Sequence, residues 1–186
     1  MTTEHGHDTR PRFPSGLVLS GHGLVLREWT DDDLPVMAGL FDDPDVAYWT
    51  PLATPFDLAA ARAYLERARR SLAADQRLHL AITTDGGEAK GEVLLSRDLR
   101  DGSAAALGYA VGAAHRGRRL AVRAVRVLAD YALTTAGLAR VYLEIERENE
   151  SSVRVARAAG FRLTDTPPAT TEEKGRTLEL LTWSSP

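Results

Sequence analysis

Residues 115–124, HRGRRLAVRA, bring four arginines and one glycine together immediately before a segment of long helical periodicity. Cations beside a glycine at such a place have a specific chemical use. Where a strand gives way to a helix, the first amide N–H groups lack partners within the helix and the helix dipole favours negative charge. Residues 113–121 are therefore a candidate cradle for phosphate. Arg116 supplies a cation and Gly117 permits close backbone approach, so that several amides can hold one pyrophosphate. Charge alone leaves two alternatives open, a solvated helix face, which is the usual meaning of a charge run, and a nucleic-acid contact.

Composition narrows the choice. A net charge of -3 and a pI near 6.0 argue against a nucleic-acid partner bound through the overall field, so any anion site is local. The absence of cysteine excludes a disulfide framework, a thiolate metal site and a cysteine nucleophile. No apolar run approaches the ~18 to 20 residues that span a bilayer. Residues 1–16 carry charges and prolines where a signal peptide is apolar. The expectation is a cytoplasmic protein with no membrane partner. Its 186 residues, 44% hydrophobic, fit one domain at 17–186 behind a flexible tail at 1–16, in which His5 and His7 are not expected to hold a metal.

The elements that must position the arginines follow from periodicity. LVLSGHGLVLREW reads as two short strands around a glycine-rich turn, and TDDDLPVMAGLF as a short helix capped by Thr30 or Asp31. Leu58, Ala61, Leu65, Ala68 and Leu72 trace the apolar stripe of a longer helix. LHLAITT and KGEVLLSRD pair around Asp85-Gly86-Gly87, and AAALGYAVG adds a third strand. A helix over 118–135 follows, with Ala121, Ala124, Val125, Leu128 and Ala132 inward and a stop at Gly137. ARVYLEIE is a strand, ESSVRVARAAGF a helix closed by Gly160 and Phe161, and FRLTD and TLELLTW are two more strands. This order predicts an α+β fold with helices on both faces of a sheet.

The succession LGYAVGAAHRGRRLAVRAVRVLADYA and ARVYLEIERENESSVRVARAAGF resembles the GCN5-related N-acetyltransferase (GNAT) superfamily, particularly its branch of ribosomal-protein-alanine N-acetyltransferases. LVLREWTDDDL and FDDPDVAYWTP extend the likeness over roughly residues 17–183. The resemblance implies a mixed, mostly antiparallel sheet of six to seven strands, about four helices on both faces, and a splayed central strand pair. It implies acetyl-CoA as acyl donor, no metal, and direct transfer to a primary amine on a protein N-terminus or a small molecule, by a monomer or homodimer. The alternative is a non-catalytic acyl-CoA-binding or sensor module, because several family positions are altered.

The family's acetyl-CoA motif reads Gln or Arg, two residues, Gly, one residue, then Gly or Ala. Arg116 fills the first place and Ala121 the last, while Arg119 replaces the middle glycine. A helical, negative φ at Arg119 would carry its side chain without strain and let it reach a phosphate; a need for clearance there would impair binding. By resemblance, Arg116, Gly117, Arg118, Arg119, Leu120 and Ala121 form the phosphate turn. Ala110, Val111 and Gly112 face the pantetheine arm, with the Val111 N–H on the thioester carbonyl. Asn149 is a pantetheine contact or a helix N-cap. The tyrosine that many relatives carry five residues before the Phe of GF is replaced by Ala156, and the acidic residue before LGY by Ala106. Ser152 is thus the candidate group at the sulfur, and Glu92, ahead of His115, the candidate base. Tyr48 and Trp49 are expected in an acceptor pocket, and Trp29 in the core.

Overall fold

The computed structural model describes residues 11–185. Strands β1 (Val18–Gly21) and β2 (Leu24–Glu28) form a hairpin. A 3-10 turn at Asp31–Asp33 then leads into α1 (Leu34–Phe41), and the Asp33 carboxylate reaches back to accept from the Thr30 N–H at 2.8 Å. Next come α2 (Pro44–Trp49), α3 (Leu58–Ala73), β3 (Arg77–Thr83), β4 (Gly91–Arg97) and β5 (Ala104–Val111). The chain continues through α4 (Leu120–Thr134), β6 (Arg140–Glu146), α5 (Glu150–Ala159), β7 (Arg162–Leu163), β8 (Ala169–Glu173) and β9 (Arg176–Ser184).

Among the described residues nine strands join one sheet in the order β1-β2-β3-β4-β5-β6-β9-β7, with β8 also on β9. The count exceeds the expected six to seven because the C-terminal segment divides. ATTEE is exposed along most of its length and shows no apolar alternation, so β8 is a strand only because β9 offers a partner. The fifth helix, α2, is six residues long and is held by the Asp43 carboxylate, which accepts from the Asp45 and Val46 amides at 3.0 Å.

The apolar stripes account for the layering. Leu120, Ala124, Val125 and Leu128 of α4 pack with Ala156 of α5 against one face of the sheet. Met37 and Phe41 of α1 and Leu65 of α3 cover the other, where Phe41, Phe56 and Tyr64 meet edge-on.

One feature of the sheet creates the site. Strand β6 is parallel to β5, and their register runs only from Ala104–Ala106 to Arg140–Tyr142. Past those residues the two strands part, which is the expected splay.

Residues 1–10, His5 and His7 included, lie outside the described residues. Residues 11–13, expected as part of the loose tail, are instead docked. Phe13 is buried and donates its N–H to Asp75 at 2.7 Å, and the Arg97 guanidinium lies 4.1 Å over its ring. A single aromatic at the end of a polar stretch supplies the burial that orders it.

Candidate active site

The wall of the gap is set by the two-residue period of β5. The Gly112 amide donates to Lys90 O at 3.1 Å, so the alternation of an antiparallel ladder turns the Ala110 backbone toward β4 as well. The backbone groups of Tyr109 and Val111 then face the gap. The Val111 carbonyl already accepts from Arg116 Nε at 3.2 Å, which leaves the Val111 N–H as the donor on offer. A Cβ at Gly112 would overlap the Leu40 side chain, so glycine is required there for close packing.

Beyond β5 the chain makes a 3-10 turn at Ala113–His115 and takes left-handed backbone at Gly117, φ 77°. Arg119 is left-handed too, at φ 56° and ψ 25°, immediately before α4. The negative φ considered for it does not occur. Glycine suits this position for its conformation, and holding arginine in it costs about 1 kcal/mol. The first α-helical bond runs from Arg123 N to Arg119 O at 3.1 Å, so the Leu120, Ala121 and Val122 amides lie in the first turn, where amides have no partner in the helix. They open on a groove of about 1110 Å³ whose lining includes Arg116, Arg119, Arg123, Arg126 and Arg154, with Asp45 as the only acid. Arg118 is absent from that lining; its carbonyl accepts from Arg123 at 3.3 Å. The Leu120 side chain is in the core.

Arg116 is not a free cation. Its guanidinium spans Asp43 at 2.6 Å and Asp45 at 2.8 Å, and so ties α2 to the end of β5. Burial alone would raise the Asp43 carboxyl, but Arg116 and the α2 amides outweigh it and hold the group below its ordinary range.

At the head of α5, Asn149 Oδ1 accepts from the Ser152 N–H at 3.1 Å and the Ser151 hydroxyl at 2.9 Å. Asn149 is therefore an N-cap, and both it and Ser152 border the groove. His115 lines the same groove with a buried Nδ1 that has no partner among the described residues.

A second cavity of about 600 Å³ opens on the opposite side of the gap, between α2, β4, β5, β6 and the β8–β9 hairpin. The hairpin tip grips α2. Lys174 donates to Ala47 O at 2.6 Å, and Arg176 donates to Tyr48 O at 3.1 Å, pairs with Glu146 at 2.7 Å and lies over the Tyr48 ring. Tyr48 and Trp49 line this cavity as expected, while Trp29 is buried among the residues of α1 and α3.

Glu92 sits at the cavity floor with both oxygens engaged. Trp29 Nε1 donates to one at 2.8 Å, and the Tyr64 hydroxyl donates to the other, with His79 Nδ1 at 3.4 Å. Burial, then the charge of Glu92, pushes the Tyr64 hydroxyl far up, so it remains a proton-bearing donor. The Glu144 side chain, by contrast, lies on β6 toward the cavity and makes no hydrogen bond or ion pair among the described residues. Burial first, and Asp98 second, raise its carboxyl above the ordinary range. Its signal was present in the strand YLEIE, whose period of two puts Glu144 and Glu146 opposite the buried Leu143 and Ile145.

A family model described as the acetyltransferase (GNAT) domain matches residues 23–162. The chain belongs to the GNAT family. It is 26% identical over 163 residues to the uncharacterized N-acetyltransferase p20 of Bacillus licheniformis, covering 87% of this chain and 91% of that one. The structure of the ribosomal-protein-S5-alanine acetyltransferase of Vibrio fischeri superposes with a TM-score of 0.75 at 19% identity, over 91% of this chain and 96% of that one. The microcin C7 self-immunity acetyltransferase MccE, solved with acetyl-CoA and AMP, gives 0.75 at 17% identity over 89% and 93%.

As a GNAT N-acetyltransferase, the chain keeps the splayed strands and the turn before α4 but differs in the side chains around the gap. Ala156 is fully buried on α5, and Ala106 brings only a methyl group to the second cavity. Of the cavity's carboxylates, Glu92 is held by its donors and Glu146 by Arg176, whereas the side chains of Glu144, on the strand that borders the gap, and Glu173, at the end of β8 away from it, make no hydrogen bond or ion pair among the described residues. Among the described residues no helix is long and apolar enough to cross a membrane.

Proposed function

We propose that residues 17–186 form one catalytic domain that passes the acetyl group of acetyl-CoA directly to the primary amine of a peptide end or a small molecule. The observation that carries this reading is the meeting of two cavities across the splay, which share Trp49, Thr50, Tyr109, Ala110, Asn149 and Ser152. A donor held in one groove and an amine in the other reach each other without leaving the protein. The arginine-lined groove, with first-turn amides of α4 opening on it, fits a pyrophosphate-bearing donor. Acetyl-CoA supplies the acetyl group there as an activated thioester.

The chain's own residues do the rest. The amides of Leu120, Ala121 and Val122 and the Arg119 side chain hold phosphate oxygens. The Val111 N–H donates to the thioester carbonyl as its oxygen gains charge. Glu144 takes the proton from the acceptor ammonium, a task its raised carboxyl pKa suits. Glu92 shapes the floor of the pocket by ordering Trp29 and Tyr64. Tyr48, Trp49, Leu178 and Leu180 line the acceptor cavity and favour an amine with an apolar body.

The test has two arms. Calorimetry with acetyl-CoA should give saturable binding, and thiol release should accelerate with at least one amine from a panel of peptide N-termini, polyamines and aminoglycosides. Binding without acceleration by any amine would favour the sensor module and overturn the transfer reading.

A further inference from the structure

Tyr109 has no role in the reading above, yet of the six residues common to both cavities it alone has a titratable side chain. The donor reaches the gap from one cavity and the amine from the other, so the reacting atoms lie at this shared wall. The Tyr109 hydroxyl is shut off from solvent, and although Ser152 is near enough to perturb it, the geometry completes no hydrogen bond between them or with any other described residue. Its ring packs against the core formed with α4 and α5, and Ser152 is its polar neighbour. A buried O–H without an acceptor is destabilising, so its presence at the meeting point of the cavities calls for an acceptor that arrives with a ligand.

We propose that the Tyr109 hydroxyl donates the hydrogen bond that stabilises the leaving sulfur, a function the buried Ala156 of α5 has no group to perform. The inference rests on the acetyl-CoA reading. As the amine nitrogen bonds to the carbonyl carbon, the C–S bond breaks and its electron pair passes to sulfur. Glu144, exposed to solvent, has by then passed the ammonium's proton to water, and it takes the second proton that the nitrogen loses on forming the amide. Tyr109 keeps its own proton and shares it with the thiolate, which leaves as CoA and is protonated by water on release. Burial, opposed by Ser152, pushes this hydroxyl up to about 12. An alkyl thiol titrates near ~8.5, so complete transfer from tyrosine to thiolate is unfavourable by about three orders of magnitude, and hydrogen bonding is the mode that remains.

The experiment compares the wild type with Tyr109→Phe and Ser152→Ala. CoA binding is measured by calorimetry, and the ionisation of the bound CoA thiol is followed by thiolate ultraviolet absorbance. Tyr109→Phe removes only an unpartnered oxygen, so its melting temperature should not fall. Its CoA affinity should be unchanged, while its bound thiol should titrate about one unit higher than in wild type. With an accepted amine, kcat should fall about tenfold while KM for acetyl-CoA holds. An identical thiol pKa in wild type and Tyr109→Phe overturns the inference, and a shift confined to Ser152→Ala assigns the donor to Ser152 instead. If wild type binds no CoA, the acetyl-CoA reading itself falls.

Discussion

The groove proposed for the donor and the cavity proposed for the acceptor face each other across one gap but are assembled in opposite ways. The donor side centres on one continuous stretch, residues 109–126, and its proposed ligands are main-chain amides and arginines fixed by a strand-to-helix junction. The acceptor side gathers α2, β4, β5, β6 and the β8–β9 hairpin, and its chemistry resides in side chains. A local junction is written in a short run of sequence, whereas a cavity made of distant pieces depends on which of its charges find partners. Arg116 shows the same divide. Its type and position read as a phosphate ligand, yet its charge is taken up by Asp43 and Asp45, more than seventy residues earlier in the chain.

If chemistry belongs to the cavity and holding to the turn, Glu144→Gln should lower kcat by about 100-fold or more while leaving acetyl-CoA affinity intact, as read by thiol release and calorimetry. The wild-type rate should fall as pH drops through the raised pKa of Glu144, and that limb should vanish in the variant. The sign for stability is opposite. A carboxyl raised in the folded state destabilises the fold once pH climbs past its ordinary value, so Glu144→Gln should gain stability near neutral pH, by less than about 0.5 kcal/mol given its exposure.

Glu92 provides the contrast inside the same cavity. Glu92→Ala strands the Trp29 N–H in the core and leaves the Tyr64 hydroxyl only His79 Nδ1, 3.0 Å away, and should cost about 2 kcal/mol in urea unfolding. Glu92→Gln keeps an acceptor and should retain most of its activity. If instead Glu92→Gln loses as much rate as Glu144→Gln, the two roles must be exchanged.

Asp43 tests how firmly the two regions are joined. Asp43→Ala removes the cap of α2 and one partner of Arg116, and should cost about 1 to 2 kcal/mol while raising KM for both substrates. Because the folded-state pKa of Asp43 is lowered, its contribution is complete above the ordinary carboxylate value and is lost as pH falls through the folded value. Acid unfolding should therefore be less steep in Asp43→Asn.

The smallest effect is expected at Arg119. Glycine accepts the left-handed backbone without strain but loses more entropy on folding, so Arg119→Gly should stabilise by roughly 0.5 kcal/mol. Acetyl-CoA affinity should fall several-fold if the guanidinium contacts phosphate. A gain in affinity would show that the side chain obstructs the turn.

Much of the frame could be read from the residues alone. Asp85-Gly86-Gly87 marked the β3–β4 turn, Gly160 and Phe161 marked the end of α5, and the chain order implied helices on both faces. The pieces missed were those with no periodicity of their own, α2 and β8, which exist through a side-chain cap and a neighbouring strand. Within the site, Glu144 and Glu92 are alike on paper as single carboxylates on strands. Only the three polar partners around Glu92, brought in from β2's end, α3 and β3, separate them. The left-handed backbone of Arg119 was hidden for a related reason: it is the closing geometry of the turn, not the residue's own preference, that sets φ there.

The double grip of Arg116 on α2 and on the Val111 carbonyl constrains how this enzyme can diversify. A lineage that remodels α2 to admit a bulkier amine also disturbs the strand proposed to present the thioester, so new specificity gained there carries a penalty in donor alignment. Changes along β9 beyond its tip escape that linkage, and descendants with altered acceptors should differ first at Leu178 and Leu180.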